Sequence, residues 1–266
     1  MIDELKELRK RCLRISSVGR DGNLQSVFSS MEIIWTLYNR VMNWSKEIAR
    51  SPERDYFILS KGQSTMALTA VLAQKGLFST EELMTFGQLK SRFSMQADRT
   101  KFPEGGIENS AGSLGHGFPM ATGMALAHKI RGMDNRFYVL AGDGEMNEGT
   151  MWEAALLASS KKLDNLCLIV DDNDSIGRMI DMGSLADKLR EFGFAVDACD
   201  GHDVYALTDK IQLLKDISER EKVPSCLIAK TQRGYGSQTL MTDRSWFHRY
   251  PKDDELEILS AEVDAF

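Results

Sequence analysis

No stretch of this sequence is apolar for long enough to cross a bilayer. The longest purely apolar runs, such as Leu166 to Val170, fall far short of the roughly 20 residues that a spanning helix needs. The start of the chain also lacks the apolar segment of a secretory leader. Met1-Ile2-Asp3-Glu4-Leu5-Lys6 brings in acids before any apolar run, so no signal peptide is expected. The four cysteines (Cys12, Cys167, Cys199, Cys226) show no C-x-x-C spacing. Three of them sit in apolar strand-like runs, so buried reduced thiols in a cytoplasmic protein are expected. An excess of positive charge is missing too. The net charge of -6 gives no general attraction to nucleic acid or to an anionic membrane. A local cluster such as Arg9-Lys10-Arg11 falls on a polar helix face and reads as solvated.

Internal repeats and low-complexity linkers are absent as well. A length of 266 residues suits one large α/β domain, residues 1–266, with N-terminal helices and a C-terminal extension. Apolar positions at Ile2, Leu5, Leu8, Cys12 and Ile15 have helical spacing. A second helix is expected from about Ser30 to Met42, then a short buried strand Tyr56–Leu59 and a helix over roughly 64–75. Ser79-x-x-Glu82 is a capping box opening another helix. Residues 91–116 are glycine-rich and irregular, a long loop of the kind that usually carries function.

Beyond this loop the rhythm is regular. Helix 119–129 precedes strand 137–140, helix 149–161 precedes strand 166–170, and helix 184–192 precedes strand 195–199. Helix 203–219 and strand 226–229 complete the series. Such alternation predicts an α/β fold, a parallel β-sheet with helices on both faces. Ligands in these sheets lie beyond the carboxyl ends of the strands, where the loops after Leu140, Val170 and Ala229 meet.

Two of those loops carry chemistry. In Gly142-Asp143-Gly144-Glu145 the glycines let backbone N–H groups approach a phosphate, and the helix start adds positive partial charge. Asp143 supplies a hard oxygen ligand. In Asp171-Asp172-Asn173-Asp174-Ser175, Asn173 offers a neutral amide oxygen and a turn can present the Ser175 carbonyl. A carboxylate, an amide oxygen and a main-chain oxygen leave room for two diphosphate oxygens and a water, an octahedral site suited to Mg²⁺. Alone, Gly-Asp-Gly reads as a tight turn and the acidic segment as a solvated loop. Their spacing changes that: 28 residues separate Gly144 from Asn173, enough for one helix and one strand that return the chain to the same edge. A nicotinamide-cofactor reading of Gly112-x-x-Gly115-x-Gly117 fails, because the polar segment before it is no strand and the glycine order is wrong.

These motifs resemble the diphosphate-binding region of transketolases, especially their separate N-terminal subunits. The resemblance covers most of the chain: Gly142 to Glu145 with Glu148-Gly149 and Trp152-Glu153-Ala154-Ala155, Lys162 to Leu166, Asp200-Gly201-His202-Asp203 and Ile228 to Thr231. Gly112-Ser113-Leu114-Gly115-His116-Gly117 resembles the loop under the thiazolium ring and diphosphate, and Leu59-Ser60-Lys61-Gly62 the turn into the active site. The resemblance implies thiamine diphosphate and Mg²⁺ as cofactors, with Asp143, Asn173 and the Ser175 carbonyl as metal ligands. It implies cofactor contacts from Gln63, Gly112, Ser113, Leu114, Gly142, Gly144, Glu145, Asn173 and Lys230. The family's second domain supplies the glutamate that protonates the aminopyrimidine, so a separate C-terminal, pyrimidine-binding subunit is expected, paired as α2β2.

The family's active-site histidines are replaced. Asn23, Gln63 and Gln96 stand at or near their places, and Trp246-Phe247 stands where the family has Trp-His, with His248 next to it. These four, Asn23, Gln63, Gln96 and His248, are the substrate-side candidates. Amides hydrogen-bond but do not shuttle protons near neutral pH. Loss of CO₂ from a 2-keto acid needs no base for a sugar hydroxyl, so a 2-keto acid donor or a modified sugar acceptor is expected. Three functions stay open: a two-carbon transferase, a decarboxylase with acyl transfer, and a non-catalytic scaffold subunit. His202 reads as ordering a turn, His116 as a polar loop contact and His128 as a surface residue. Arg92 and Arg99 are possible phosphate contacts with no further support.

Overall fold

The computed structural model describes residues 1–175 and 180–266. Among these, β1 (Tyr56–Leu59), β2 (Phe137–Gly142), β3 (Leu166–Asp172), β4 (Ala195–Asp200) and β5 (Ser225–Lys230) form a parallel sheet. Their order is β1-β2-β3-β5-β4. The apolar runs of the central strands are explained by burial on both faces. Phe57, Leu59, Tyr138, Leu140, Cys167, Ile169 and Leu227 point into one core. It is shared with α1 (Ile2–Gly19), α2 (Leu24–Ser29), α3 (Met31–Thr36), α4 (Thr65–Gln74) and a later helix, α9 (Val204–Glu221). The alternate residues Ile58, Phe137, Val139, Leu166, Leu168 and Ile228 point into a second core. It is covered by α6 (Gly117–Ile130), α7 (Gly149–Ser160) and α8 (Leu185–Glu191). The capping box at Ser79 is present and opens α5 (Thr80–Leu83).

The expected helix over 30–42 is broken differently. The chain turns helical at Leu24, capped by Asn23, pauses at Ser30, and ends in a π-helical turn over Leu37–Val41. The hydroxyls of Ser29 and Ser30 both lie on the Ser26 carbonyl, at 3.0 and 2.8 Å. Such back-bonding competes with the helical ladder and bends it. Two short helices, α10 (Gln238–Thr242) and α11 (Glu255–Ala265), follow the sheet. Lys10 anchors α11 to α1 through Asp264 at 2.8 Å.

Arg9 is not on a solvated face. It is 5% exposed, pairs with Glu32 and donates to the Tyr235 carbonyl at 2.9 Å. Its partners lie far along the chain, so helix periodicity gave no sign of them. Arg92 is structural rather than a phosphate contact: it pairs with Glu82 and Glu104 over the rings of Phe78, Phe93 and Phe102. His128 is half-buried between Tyr56 and Phe137 and bonded to Asn135 at 2.7 Å, not free on the surface. All four cysteines are free thiols, three of them buried. Burial pushes the Cys12 thiol up to about 12 and Cys199, half-buried on edge strand β4, up to about 11. No helix among the described residues is long and apolar enough to cross a membrane.

Candidate functional site

The register of the central strands brings the two acidic loops level. Gly142 is paired with Asp171, Asp172 with Lys230, and the Asp143 amide extends the ladder to the Asp171 carbonyl at 3.1 Å. Asp143 is 5% exposed. Its two carboxylate oxygens accept from the Ser175 N–H at 2.7 Å and the Ser175 hydroxyl at 2.6 Å. Both donors are neutral, and among the described residues no cation forms an ion pair with Asp143. Asn173 donates its amide N–H to Ser29 Oγ at 3.4 Å, while its Oδ1 is buried and accepts nothing among the described residues. Among the described residues no atom outside the chain neighbours of Gly142 lies within 4 Å of the position a Cβ on it would take. A cavity of about 470 Å³ opens beside Asp143, lined also by Asp172, Asp174 and Lys230.

A buried carboxylate without a cation is costly. Each Asp143 oxygen keeps a lone pair beyond its one hydrogen bond. Among the described residues no group of three or more His, Cys, Asp or Glu side chains is placed to hold an ion by itself. One acid and one amide oxygen fit a hard divalent ion that completes its shell from phosphate and water, such as Mg²⁺.

Glu145, expected to touch the cofactor, has its carboxylate committed within the protein. It is 1% exposed and accepts from the Ser60 hydroxyl, the Gly115 N–H at 2.8 Å and the Gly142 N–H at 3.3 Å. Burial raises its pKa despite these donors. The side chain ties the end of β1, the glycine-rich loop and the end of β2 together. Gly115 must be glycine there: its φ is +79° and a Cβ would lie 2.6 Å from Glu148. Gly62 is packed closely but less tightly, a Cβ on it falling 3.0 Å from Ala111 Cβ and 3.1 Å from the Gly112 nitrogen. Ser113 is exposed and Leu114 half-buried in this loop.

Beneath the metal candidates lies a buried network that sequence reasoning missed. Asp171 and Lys61 are both fully buried and form an ion pair. Asp171 Oδ2 also accepts from Ser29 at 2.7 Å and Ser30 at 3.2 Å, and Oδ1 accepts from Thr231. Burial opposes the charge, but Lys61 and these donors hold the carboxyl below the usual range. Asp171 and Lys61 both lay inside recognised motifs; their pairing across 110 positions left no sequence signal.

The substrate-side candidates are less uniform. Asn23 is buried and caps α2 through its side-chain oxygen, 3.3 Å from the Ser26 N–H. Gln63 is half-buried in the turn Gly62–Ser64. Gln96 is exposed, its Oε1 3.0 Å from the Cβ position of Gly112, so it does border the glycine-rich loop. His248 is exposed with its ring against Phe247. Lys230 is exposed and paired with Asp172. Arg233, not singled out from the sequence, is half-buried over Phe247 and donates to Gln25 at 3.2 Å. Burial and the nearby Arg244 lower its pKa, while Asp143 raises it. A lone basic residue between Gln232 and Gly234 gave no pattern to find it by. His202 is structural, as expected: it accepts from the Gln232 N–H at 2.8 Å, faces Glu32 at 3.2 Å and stacks on Tyr235.

Residues 8–260 match the model of the transketolase, thiamine diphosphate binding domain family. The chain belongs to that family. Over 247 residues this transketolase domain is 35% identical to an apulose-4-phosphate transketolase subunit of Actinobacillus succinogenes, covering 91% of this chain and 87% of that protein. It is 34% identical to a 6-deoxy-6-sulfo-D-fructose transketolase subunit of Clostridium sp. (strain MSTE9), over 85% of this chain and 83% of that protein. The fold is that of the transketolase of Campylobacter jejuni, with a TM-score of 0.87 at 22% identity over 99% of this chain. This chain spans 42% of that solved transketolase. The two relatives named as subunits it matches over 87% and 83% of their length.

Proposed function

We propose that this chain, as one domain over residues 1–266, is the diphosphate- and metal-holding subunit of a two-component transketolase-like transferase. The observation that carries the reading is the buried Asp143 carboxylate, without an ion-pair partner among the described residues, on the strand end next to the orphaned Asn173 oxygen. Asp143, Asn173 and the main-chain oxygen of Ser175 would hold Mg²⁺. Gly142, Gly144 and the backbone of Gly112, Ser113 and Leu114 would face the cofactor, with Gln63, Lys230 and Arg233 around it. Glu145 serves the same end indirectly, by fixing the Gly115 and Gly142 amides.

Thiamine diphosphate, when bound, supplies a nucleophilic carbon for the donor's carbonyl. The chain's own part is to neutralise and orient the diphosphate and to exclude water from it. A separate pyrimidine-binding subunit would complete the centre, two copies of each chain forming α2β2. Exposed apolar side chains on α6 and α7 (Met120, Leu156, Leu157) offer surface to such an assembly. Relatives named for apulose-4-phosphate and 6-deoxy-6-sulfo-D-fructose support the modified-sugar branch over the keto-acid branch. Asn23, Gln63, Gln96 and His248 would line the substrate side, recognising hydroxyls by hydrogen bonds; with its side-chain oxygen on the α2 cap, Asn23 would act through its amide N–H.

The test is product analysis with both subunits, thiamine diphosphate and Mg²⁺. Transfer of a two-carbon unit from a modified ketose to an aldehyde, absent when either chain is omitted, is the expected result. Turnover of pyruvate without any ketose turnover overturns ketol transfer. Fast turnover confined to unmodified ketose phosphates overturns the altered substrate.

A further inference from the structure

An asparagine can serve as a metal ligand only through its oxygen, yet its two amide ends have nearly the same shape. Something must decide which end faces the cation. Ser29 closes α2, is fully buried, and has one proton to give. That proton has two takers within reach, Asp171 Oδ2 at 2.7 Å and the Ser26 carbonyl at 3.0 Å. Both are acceptors only, so the proton is committed whichever takes it, and the Ser29 oxygen is left able only to accept. The Asn173 amide lies 3.4 Å from that oxygen. Only its NH₂ end can face it. The oxygen is then turned to the other side, where it is buried and accepts nothing among the described residues.

We propose that Ser29, held by Asp171, is the positioning residue that sets the Asn173 amide with its oxygen toward the metal. The inference rests on the reading of Asp143 and Asn173 as metal ligands. A flipped amide would set oxygen against oxygen at Ser29 and present N–H groups to a cation, two repulsions at once. Lys61, Ser30 and Thr231 keep the Asp171 carboxylate in place, so the device reaches from the metal site down to the buried ion pair. Outer-shell partners of this kind fix ligand orientation, and their loss typically lowers metal affinity about 10- to 100-fold.

The test is Mn²⁺ affinity of the full chain with thiamine diphosphate, read from free Mn²⁺ by electron paramagnetic resonance. Ser29→Ala should weaken Mn²⁺ binding by about 10- to 100-fold with an unchanged circular dichroism spectrum. In an Asn173→Asp background the same substitution should cause no loss, or a gain. A carboxylate has two like oxygens that need no orienting, and no N–H to offer Ser29. Equal losses in the two backgrounds would reduce Ser29 to a packing role and overturn the proposal. Should Ser29→Ala not fold, Ser29→Cys keeps a side chain of similar shape with a poor acceptor, and it should weaken Mn²⁺ in the Asn173 chain alone. Asp143→Ala separates the two ideas. If it binds Mn²⁺ as tightly as the parent, the metal reading itself fails. If it loses Mn²⁺ while Ser29→Ala does not, only the positioning role fails.

Discussion

The two edges of the sheet differ in what they do with charge. At the amino edge a cavity of about 1390 Å³ is bounded by groups that cancel one another. Lys129 and Lys222 both meet Asp164, and Arg136 meets Glu219. At the carboxyl edge the cavity is about a third of that size, and Asp143 is buried with only neutral donors upon it among the described residues. Orphaned atoms occur at both edges, since Asn165 Oδ1 and Arg136 Nε lack partners as well. Neither the volume of a cavity nor a single unpartnered atom therefore marks the site. An uncancelled buried charge beside an unpartnered oxygen does.

The comparison can be broken first at the buried ion pair. Lys61→Met strands Asp171 in the interior and should cost about 3–5 kcal/mol of stability, whereas Lys129→Met at the other edge should cost about 1 kcal/mol or less. Chemical denaturation measures both. The folded Asp171 carboxyl titrates below its ordinary value of 3.8. Its contribution is therefore complete above that value and is lost as pH falls through the depressed one. The gap between Lys61→Met and its parent should be widest near neutrality and close in strong acid. A gap that widens on acidification contradicts the ion pair.

Asp143→Ala should lower Mg²⁺-dependent binding of thiamine diphosphate more than about 100-fold, beyond the loss of an outer-shell partner. Calorimetry with and without Mg²⁺ reads it, and unchanged binding dissolves the distinction between the edges. A sharper contrast lies within the carboxyl edge. Arg233→Met, which removes a half-buried cation whose charged form Asp143 favours, should weaken the cofactor about 10-fold or more, the scale of a charge-assisted hydrogen bond. Lys230→Met, which removes an exposed cation already paired with Asp172, should do less. The reverse order in a cofactor titration would return the role to Lys230. The smallest effect belongs to Asp164→Ala, with a stability loss of about 1 kcal/mol or less and no change in cofactor affinity.

Much of this was legible beforehand. The alternation of apolar runs from Phe137 to Lys230 predicts the strands within a residue or two, because the central strands, buried on both faces, need unbroken apolar sequence; edge strand β4, broken by Asp197, is buried less. Gly-Asp-Gly and Asn173 at their spacing point to one edge for the same reason. The break at Ser30 was not legible, since apolar spacing continues through it and the cause is a pair of hydroxyls bonded back to Ser26. The burial of Arg9 depends on Glu32 and Tyr235, and the commitment of Glu145 on Ser60 and Gly115. Neither partner set lies within a helical turn of the residue it serves.

By itself the sequence determined the layers, the edge at which chemistry collects and the family to which the chain belongs, since these follow from periodicity and local motif. Tertiary structure alone decided which polar groups are already engaged and which are left over. Glu145 and Asn23 turned out to be bonded inward, while among the described residues the buried Asp143 has no ion-pair partner and the buried Asn173 oxygen no donor. The reason is physical: a hydrogen bond uses up a donor or a lone pair, and which ones are used depends on neighbours far away along the chain.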